Sequence, residues 1–357
     1  ITGGNSVTIA PAVSLDGDIT GSVFGDDSTL LVDGVNNKIV GAVDTTSLTV
    51  SSTNVAIGNS AGQTSQALSA VAVGNLAGET TQGDYAVAVG DSAGKTNQGI
   101  SATAVGTAAG EITQGISATA VGNAAGYTGQ GESAVAIGQS AGKTSQAINA
   151  VAVGERAGYS SQGANAVAVG ERAGNTTQGA NAVAVGERAG YSSQGTQAIA
   201  LGTQAGGSGQ GISAVAIGEE AGELNQGENA IAIGEKAGET NQAAYSVAIG
   251  QSAGNTTQGV QAVSLGARAG QTTQGNNATA IGADAGNSSQ GANATAIGGG
   301  SAQVSQGEGA VAIGYLAGET NQAAKSIVIN ATGAVLNNIV EDTFVVKPVR
   351  DAVGTTI

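Results

Sequence analysis

Histidine and cysteine are both absent from the 357 residues. A Ser-His-Asp or Cys-His relay and the usual zinc ligand sets therefore cannot be assembled. Gly-Lys-Thr occurs at 94–96 and 142–144. A phosphate-binding loop needs a further glycine five residues before the second one, and the chain has Val89 and Ile137 there, so both are by-products of a repeat. Asp16, Asp18, Asp26 and Asp27 lack the spacing of a calcium loop and read as turn residues. The sequon Asn175-Thr176-Thr177 is expected by chance in a chain rich in these residues. No catalytic residue, metal site or cofactor is expected, and hence no enzymatic activity.

Three sets of side chains stay of interest. Tyr127, Tyr159 and Tyr191 recur at one outward position on alternate repeats, where aromatic faces could stack on sugar rings of a receptor. Glu155, Glu171 and Glu187 run beside Arg156, Arg172 and Arg188 and are expected to offset one another on a solvated face. A glutamine recurs at Gln66, Gln82, Gln98, Gln162, Gln178 and Gln194, among others, and is expected to form a structural ladder of stacked amides.

The element that positions them is a sixteen-residue unit, clearest in Val151–Ala198. A glycine falls at 58, 74, 90 and every sixteenth residue to Gly314, seventeen copies without insertion or deletion. Counting the first Val of Val-Ala-Val-Gly as position one, positions one and three are Val, Ile, Leu or Thr and position two is nearly always Ala. This period-two pattern predicts a short strand with its larger side chains facing a core. Glycine at four and Ala-Gly at seven and eight predict the bends that close a coil. Position ten, usually Thr or Ser but Ile112, Leu224 and Val304 in three copies, is expected to face inward with the glutamine at twelve. Positions nine and eleven vary as a solvated face does. The expected fold is all-β: a parallel β-solenoid or β-roll of sixteen-residue coils spanning 54–330, with a β-rich adaptor at 1–53 and a closing β segment at 331–357. Within the ends, Leu30-Leu31-Val32, Lys38-Ile39-Val40 and Thr343–Arg350 read as strands, with turns at Asp16-Gly17 and Asp33-Gly34 and Pro348 ending the last strand.

Two apolar side chains per coil are little against the entropy of ordering sixteen residues, so a lone chain looks underpowered and a homotrimer sharing one axis is expected. Two prolines and no Gly-X-Y period exclude collagen. A net charge of −15 with eleven basic residues argues against nucleic acid as a partner. The absence of an eighteen-residue apolar run argues against membrane insertion, and no signal peptide is expected at the N-terminus.

The motif Asn-Ala-Val-Ala-Val-Gly, at Asn165–Gly170 and Asn181–Gly186, resembles the head repeats of trimeric autotransporter adhesins. That resemblance implies a left-handed parallel β-roll trimer; the unit here is longer and carries a glutamine in every copy. Residues 15–24 and 26–34 look like segments of virion structural proteins from marine tailed phages. Thr343–Arg350 is similar to the strand preceding the self-cleaving chaperone of many tail fibres and spikes. Together these imply a homotrimeric phage tail or capsid fibre on the virion. It would be a rigid spacer that meets other virion proteins and a host surface glycan or protein. The alternative is a bacterial trimeric surface adhesin. A third class, ice binding through the Thr/Ser column, is disfavoured because the position beside it varies, and the fibre reading expects no thermal hysteresis at high protein concentration.

Overall fold

Three residues of alternating Val and Ala followed at once by glycine can make only a very short strand, and the computed structural model has that strand in every copy. The structure describes residues 54–349 and, ahead of them, the strand segments 23–24, 30–33 and 38–39. Those segments, Val23–Phe24, Leu30–Asp33 and Lys38–Ile39, form a three-stranded antiparallel sheet. The anticipated Asp16-Gly17 turn, Gly34 of the second turn and the acidic residues at 16, 18, 26 and 27 lie outside the described residues, as do 350–357.

Residues 54–349 belong to a second unit, a parallel β-solenoid with sixteen-residue coils. Each Val-Ala-Val strand pairs in parallel with its equivalents one coil before and after, like residue against like: Val151 with Val167, Ala152 with Ala168, Val153 with Val169. Nineteen such strands run from Val55–Ile57 to Phe344–Lys347. At about 4.8 Å per strand the first and last stand at opposite ends of the stack and do not meet. A second parallel sheet, built on positions ten to twelve, backs the first. It has nine strands from Thr64–Gln66 to Ser192–Gln194 and five from Thr257–Gln258 to Thr320–Gln322. Between the two runs only isolated bridges at Ser208, Leu224, Thr240 and Gln242 continue it.

The core is the reverse of the expectation for the first strand. The alanines at positions two, seven and sixteen are completely buried (Ala152, Ala157 and Ala166 among them), while the Val and Ile residues at one and three lie on the outer surface. Ile137, Leu265 and Ile313 are 41%, 43% and 39% exposed. The interior explains the inversion, since it is already filled by the glutamine at twelve. A Cβ added to Gly158, at position eight, would lie 2.7 Å from Gln162 Oε1. A Cβ on Gly154, at position four, would lie 2.6 Å from the carbonyl oxygen of Gly170 in the next coil. Only methyl groups fit between two sheets this close.

Position ten also faces outward rather than inward: Ile112, Leu224 and Val304 are 38%, 42% and 41% exposed. Alternation fails here because residue eleven adopts a left-handed backbone, as at Ser161 (φ 57) and Thr177 (φ 53), and puts a corner between ten and twelve. Positions six and fifteen are left-handed as well, even where Leu76 or Tyr85 occupies them. Such conformations cost roughly 1–2 kcal/mol per residue. The stacking returns that energy, for each donates its N–H to the preceding coil: Arg172 N to Glu155 O at 2.8 Å, Asn181 N to Ala164 O at 2.9 Å.

The glutamine amides satisfy themselves along the stack. Gln162 Nε2 donates to Val151 O at 2.7 Å, to Ala166 O at 3.3 Å and to Gln178 Oε1 at 3.1 Å. The same pattern, always donating toward the higher number, links Gln82 through to Gln322. Gln66 keeps its bond to Val55 O but makes no rung, which leaves Gln82 Oε1 without a donor. Where serine replaces a core alanine its hydroxyl finds a partner: Ser246 on Ala243 O, Ser301 on Gly298 O, Ser326 on Ala323 O, and Ser264 on the Gln274 carbonyl.

The repeat ends in larger residues. Val328 stands in an alanine position and Leu336 enters the core beside it. Asn330 replaces the corner glycine and is held by bonds to Tyr315 O, Ala334 O and the Thr332 hydroxyl. Phe344–Lys347 then adds a last parallel strand on Ile327–Asn330 and ends before Pro348. Among the described residues no helix is long and apolar enough to cross a membrane.

Gln178→Ala removes three donated bonds and leaves Gln194 Oε1 without a donor, which should cost about 3 kcal/mol or more at roughly 1–3 kcal/mol per buried unsatisfied group. Hydrogen exchange should register this as faster exchange confined to the coils around 162–198. Gln178→Glu, which accepts but cannot donate, should be as damaging at neutral pH and should partly recover on acidification, when the carboxyl can donate once.

Candidate functional site

Position nine follows the left-handed glycine at eight and points out of the coil, so its side chains form one column with a coil's height between layers. From Tyr127 the column reads Tyr127, Lys143, Tyr159, Asn175, Tyr191. Lys143 Nζ sits between two rings, 5.9 Å from the Tyr127 centroid and 5.4 Å from that of Tyr159. Asn175 fills the next layer, is only 7% exposed, and donates Nδ2 to Arg156 O at 3.0 Å. The sequon asparagine is therefore packed into the column and not offered to solvent. Burial alone would raise the Tyr159 hydroxyl pKa, but the adjacent Lys143 and Arg156 cations outweigh it and hold the pKa below its usual value.

The arginines beside the column behave differently from one another. Arg172 Nε approaches Glu171 at 3.9 Å. Arg156 and Arg188 instead lie over Tyr159 and Tyr191, with guanidinium carbons 4.9 and 5.8 Å from the ring centroids. For these two the ring, not the neighbouring carboxylate, is the contact the structure provides.

Above Tyr191 the column changes character. The next layer is Gly207, which has no side chain, followed by Glu223 and Glu239. A cleft of about 240 Å³ opens at the missing layer, lined by Arg188, Tyr191, Gln204, Ser208, Glu223 and Leu224 around Gly207. Gln204 Nε2 donates to Glu223 Oε1 at 3.1 Å. Beyond it, Glu220, Glu223 and Glu239 each bring a carboxylate oxygen within 4.8 Å of the others. Lys236 Nζ pairs with Glu220 at 3.1 Å, so protein groups already meet part of this charge. Partial burial, then the like charges of Glu220 and Glu239, push the Glu223 pKa above the usual carboxylate value. The irregular stretch of the second sheet, Ser208 to Gln242, coincides with this region.

The three tyrosines singled out from sequence thus share one column. Two are closed against Lys143, and Tyr191, 37% exposed, borders the open layer. The two Gly-Lys-Thr segments hold no free anion nest: Gly94 N and Thr96 N donate to Ala109 O and Glu111 O, and Gly142 N and Thr144 N to Ala157 O and Tyr159 O. Sequence reasoning passed over the cleft and the three glutamates. The available signal was Gly207 itself, alone among larger residues in its column, together with the nineteen-residue offset that brings position six of one coil against position nine of the next. No family model, no curated protein and no solved structure matches the chain.

Because the folded-state pKa of Glu223 is raised, its contribution to stability is fully present below the ordinary glutamate range and is lost as pH rises through the folded value. Glu223→Gln keeps an acceptor for Gln204 and removes the charge. Denaturation midpoints should show the variant more stable at neutral pH by up to about 1 kcal/mol, the scale of exposed charge interactions. The advantage should vanish once the native carboxyl is protonated.

Proposed function

We propose that the chain forms the shaft of a homotrimeric, non-enzymatic virion fibre, a rigid spacer that joins other virion proteins to a host surface. The observation that carries this reading is the outward stripe of Val, Ile and Leu at positions one and three. It repeats on every coil, is left half-exposed by the single chain, and lies on one parallel sheet. A contiguous apolar surface of such length is far beyond what a soluble monomer ordinarily leaves open. A second and third copy, running parallel about a closed threefold axis, would cover it in the same register on every coil. The alanines are enclosed within each coil, so only the aliphatic stripe meets the axis, in contrast to an axis shared by alanine and valine faces.

Placement on a virion draws support from the likeness of 15–34 and 343–350 to fibre and virion segments. The variable outer positions, Tyr127, Tyr159 and Tyr191 among them, are the natural surface for a host glycan or protein. A bacterial surface adhesin would use the same stripe. Ice binding gains the outward direction of the position-ten hydroxyls, but Ile112, Leu224 and Val304 interrupt that column.

Native mass spectrometry of the intact protein should return three times the chain mass of 33.8 kDa. Val169→Lys with Val185→Lys, both on the outward stripe, should shift it toward single chains that keep a β-type circular dichroism spectrum. A single chain mass for the unaltered protein at micromolar concentration would overturn the trimer.

A further inference from the structure

We propose that the open layer at Gly207 is a binding site for one neutral hexopyranose ring. The site lies within a single chain, so the inference holds whether or not the chain is a trimer or a virion component. The column itself shows what such a layer accepts. Between Tyr127 and Tyr159 it holds the Lys143 side chain, and between Tyr159 and Tyr191 it holds Asn175. Between Tyr191 and Glu223 it has no side chain of its own, because Gly207 ends at Cα, and the gap is bordered by Arg188 and Glu223 from the neighbouring layers. The Tyr191 and Glu223 layers are two coils apart, about 9–10 Å at strand spacing. A saturated ring placed between them has ordinary contact distance, about 4 Å, on either side.

The lining selects the class of ligand. Tyr191 supplies an aromatic face for the C–H side of a pyranose. Arg188 offers guanidinium donors on one wall, Glu223 a carboxylate acceptor steadied by Gln204, and Ser208 a hydroxyl that does both. A donor and an acceptor of opposite charge facing one another suit neighbouring hydroxyls. An ammonium ligand is disfavoured by the like charge of Arg188, whose guanidinium carbon is 5.8 Å from the Tyr191 centroid. An anionic sugar is disfavoured by Glu220, Glu223 and Glu239 close by. The volume, about 240 Å³, is below that of drug-sized sites and on the scale of a single sugar residue.

The test uses the full chain and the methyl glycosides of glucose, galactose, mannose and N-acetylglucosamine at millimolar concentration, read by saturation-transfer NMR. At least one should receive saturation. Its signal should fall tenfold or more in Tyr191→Ala and in Gly207→Asn, the second of which rebuilds the closed Tyr159–Asn175–Tyr191 arrangement one layer on. A Cβ at Gly207 would meet Gln204 O at 3.1 Å and Glu223 Cγ at 3.3 Å, so that variant needs shifts of only tenths of an ångström. Tyr315→Ala, elsewhere on the solenoid, should leave the signal unchanged. No saturation of any of the four glycosides, or saturation that survives both Tyr191→Ala and Gly207→Asn, overturns the site. Saturation of methylammonium in place of the glycosides overturns the neutral-ring assignment. The oligomeric mass, read separately, bears on the fibre and not on this cleft.

Discussion

Everything in the solenoid depends on one buried amide per coil. A glutamine inside a narrow apolar space costs several kcal/mol if its polar atoms go unmet, and within the coil only backbone carbonyls are near enough to serve. Gln162 Nε2 meets Val151 O and Ala166 O, but its Oε1 still needs a donor, which the preceding coil's Gln146 supplies. That third bond makes each coil a condition for its neighbour. It also dictates the rest of the cross-section: glycine at eight because the amide occupies the space, alanine at two, seven and sixteen because nothing larger fits, and β-branched residues sent to the outside.

Much of this was legible without coordinates. The period and its lack of any insertion specify in-register parallel stacking, and the recurring glycines specify where the chain turns. The outward direction of Val151 and Val153 was not legible, because period-two alternation tells which residues share a face and not which face is inside. The usual inference, larger apolar residues inward, assumes an interior with room for them. Gln162 removes that room, and its size relative to the alanines was the available clue. Position ten misled for a different reason. Thr176 and Gln178 look like strand neighbours two apart, but Thr177 between them is left-handed, and nothing about threonine advertises that conformation.

The site was half legible. Tyrosines at Tyr127, Tyr159 and Tyr191 stand out against a chain with 2% aromatics, and their common column follows from the register. What distinguishes Tyr191 is a neighbour that is missing. An absent side chain is hard to notice among 61 glycines, and Gly207 becomes informative only when read down the stack and not along the chain. The same holds for Glu220 and Glu239, nineteen residues apart in sequence and side by side across two coils.

The strict like-on-like pairing of the strands has a consequence for how such a chain can change. Removing or adding sixteen residues leaves every remaining side chain on its own face and every amide with a partner, and alters only the distance between the two ends, by about 4.8 Å per unit. Removing one residue turns alanines outward and aliphatic groups inward on that coil and breaks the amide chain. Length is therefore a quantised trait in this solenoid, open to recombination between coils in whole steps and closed to anything smaller. A surface feature such as the gap at Gly207 can be carried up or down the stack without being redesigned.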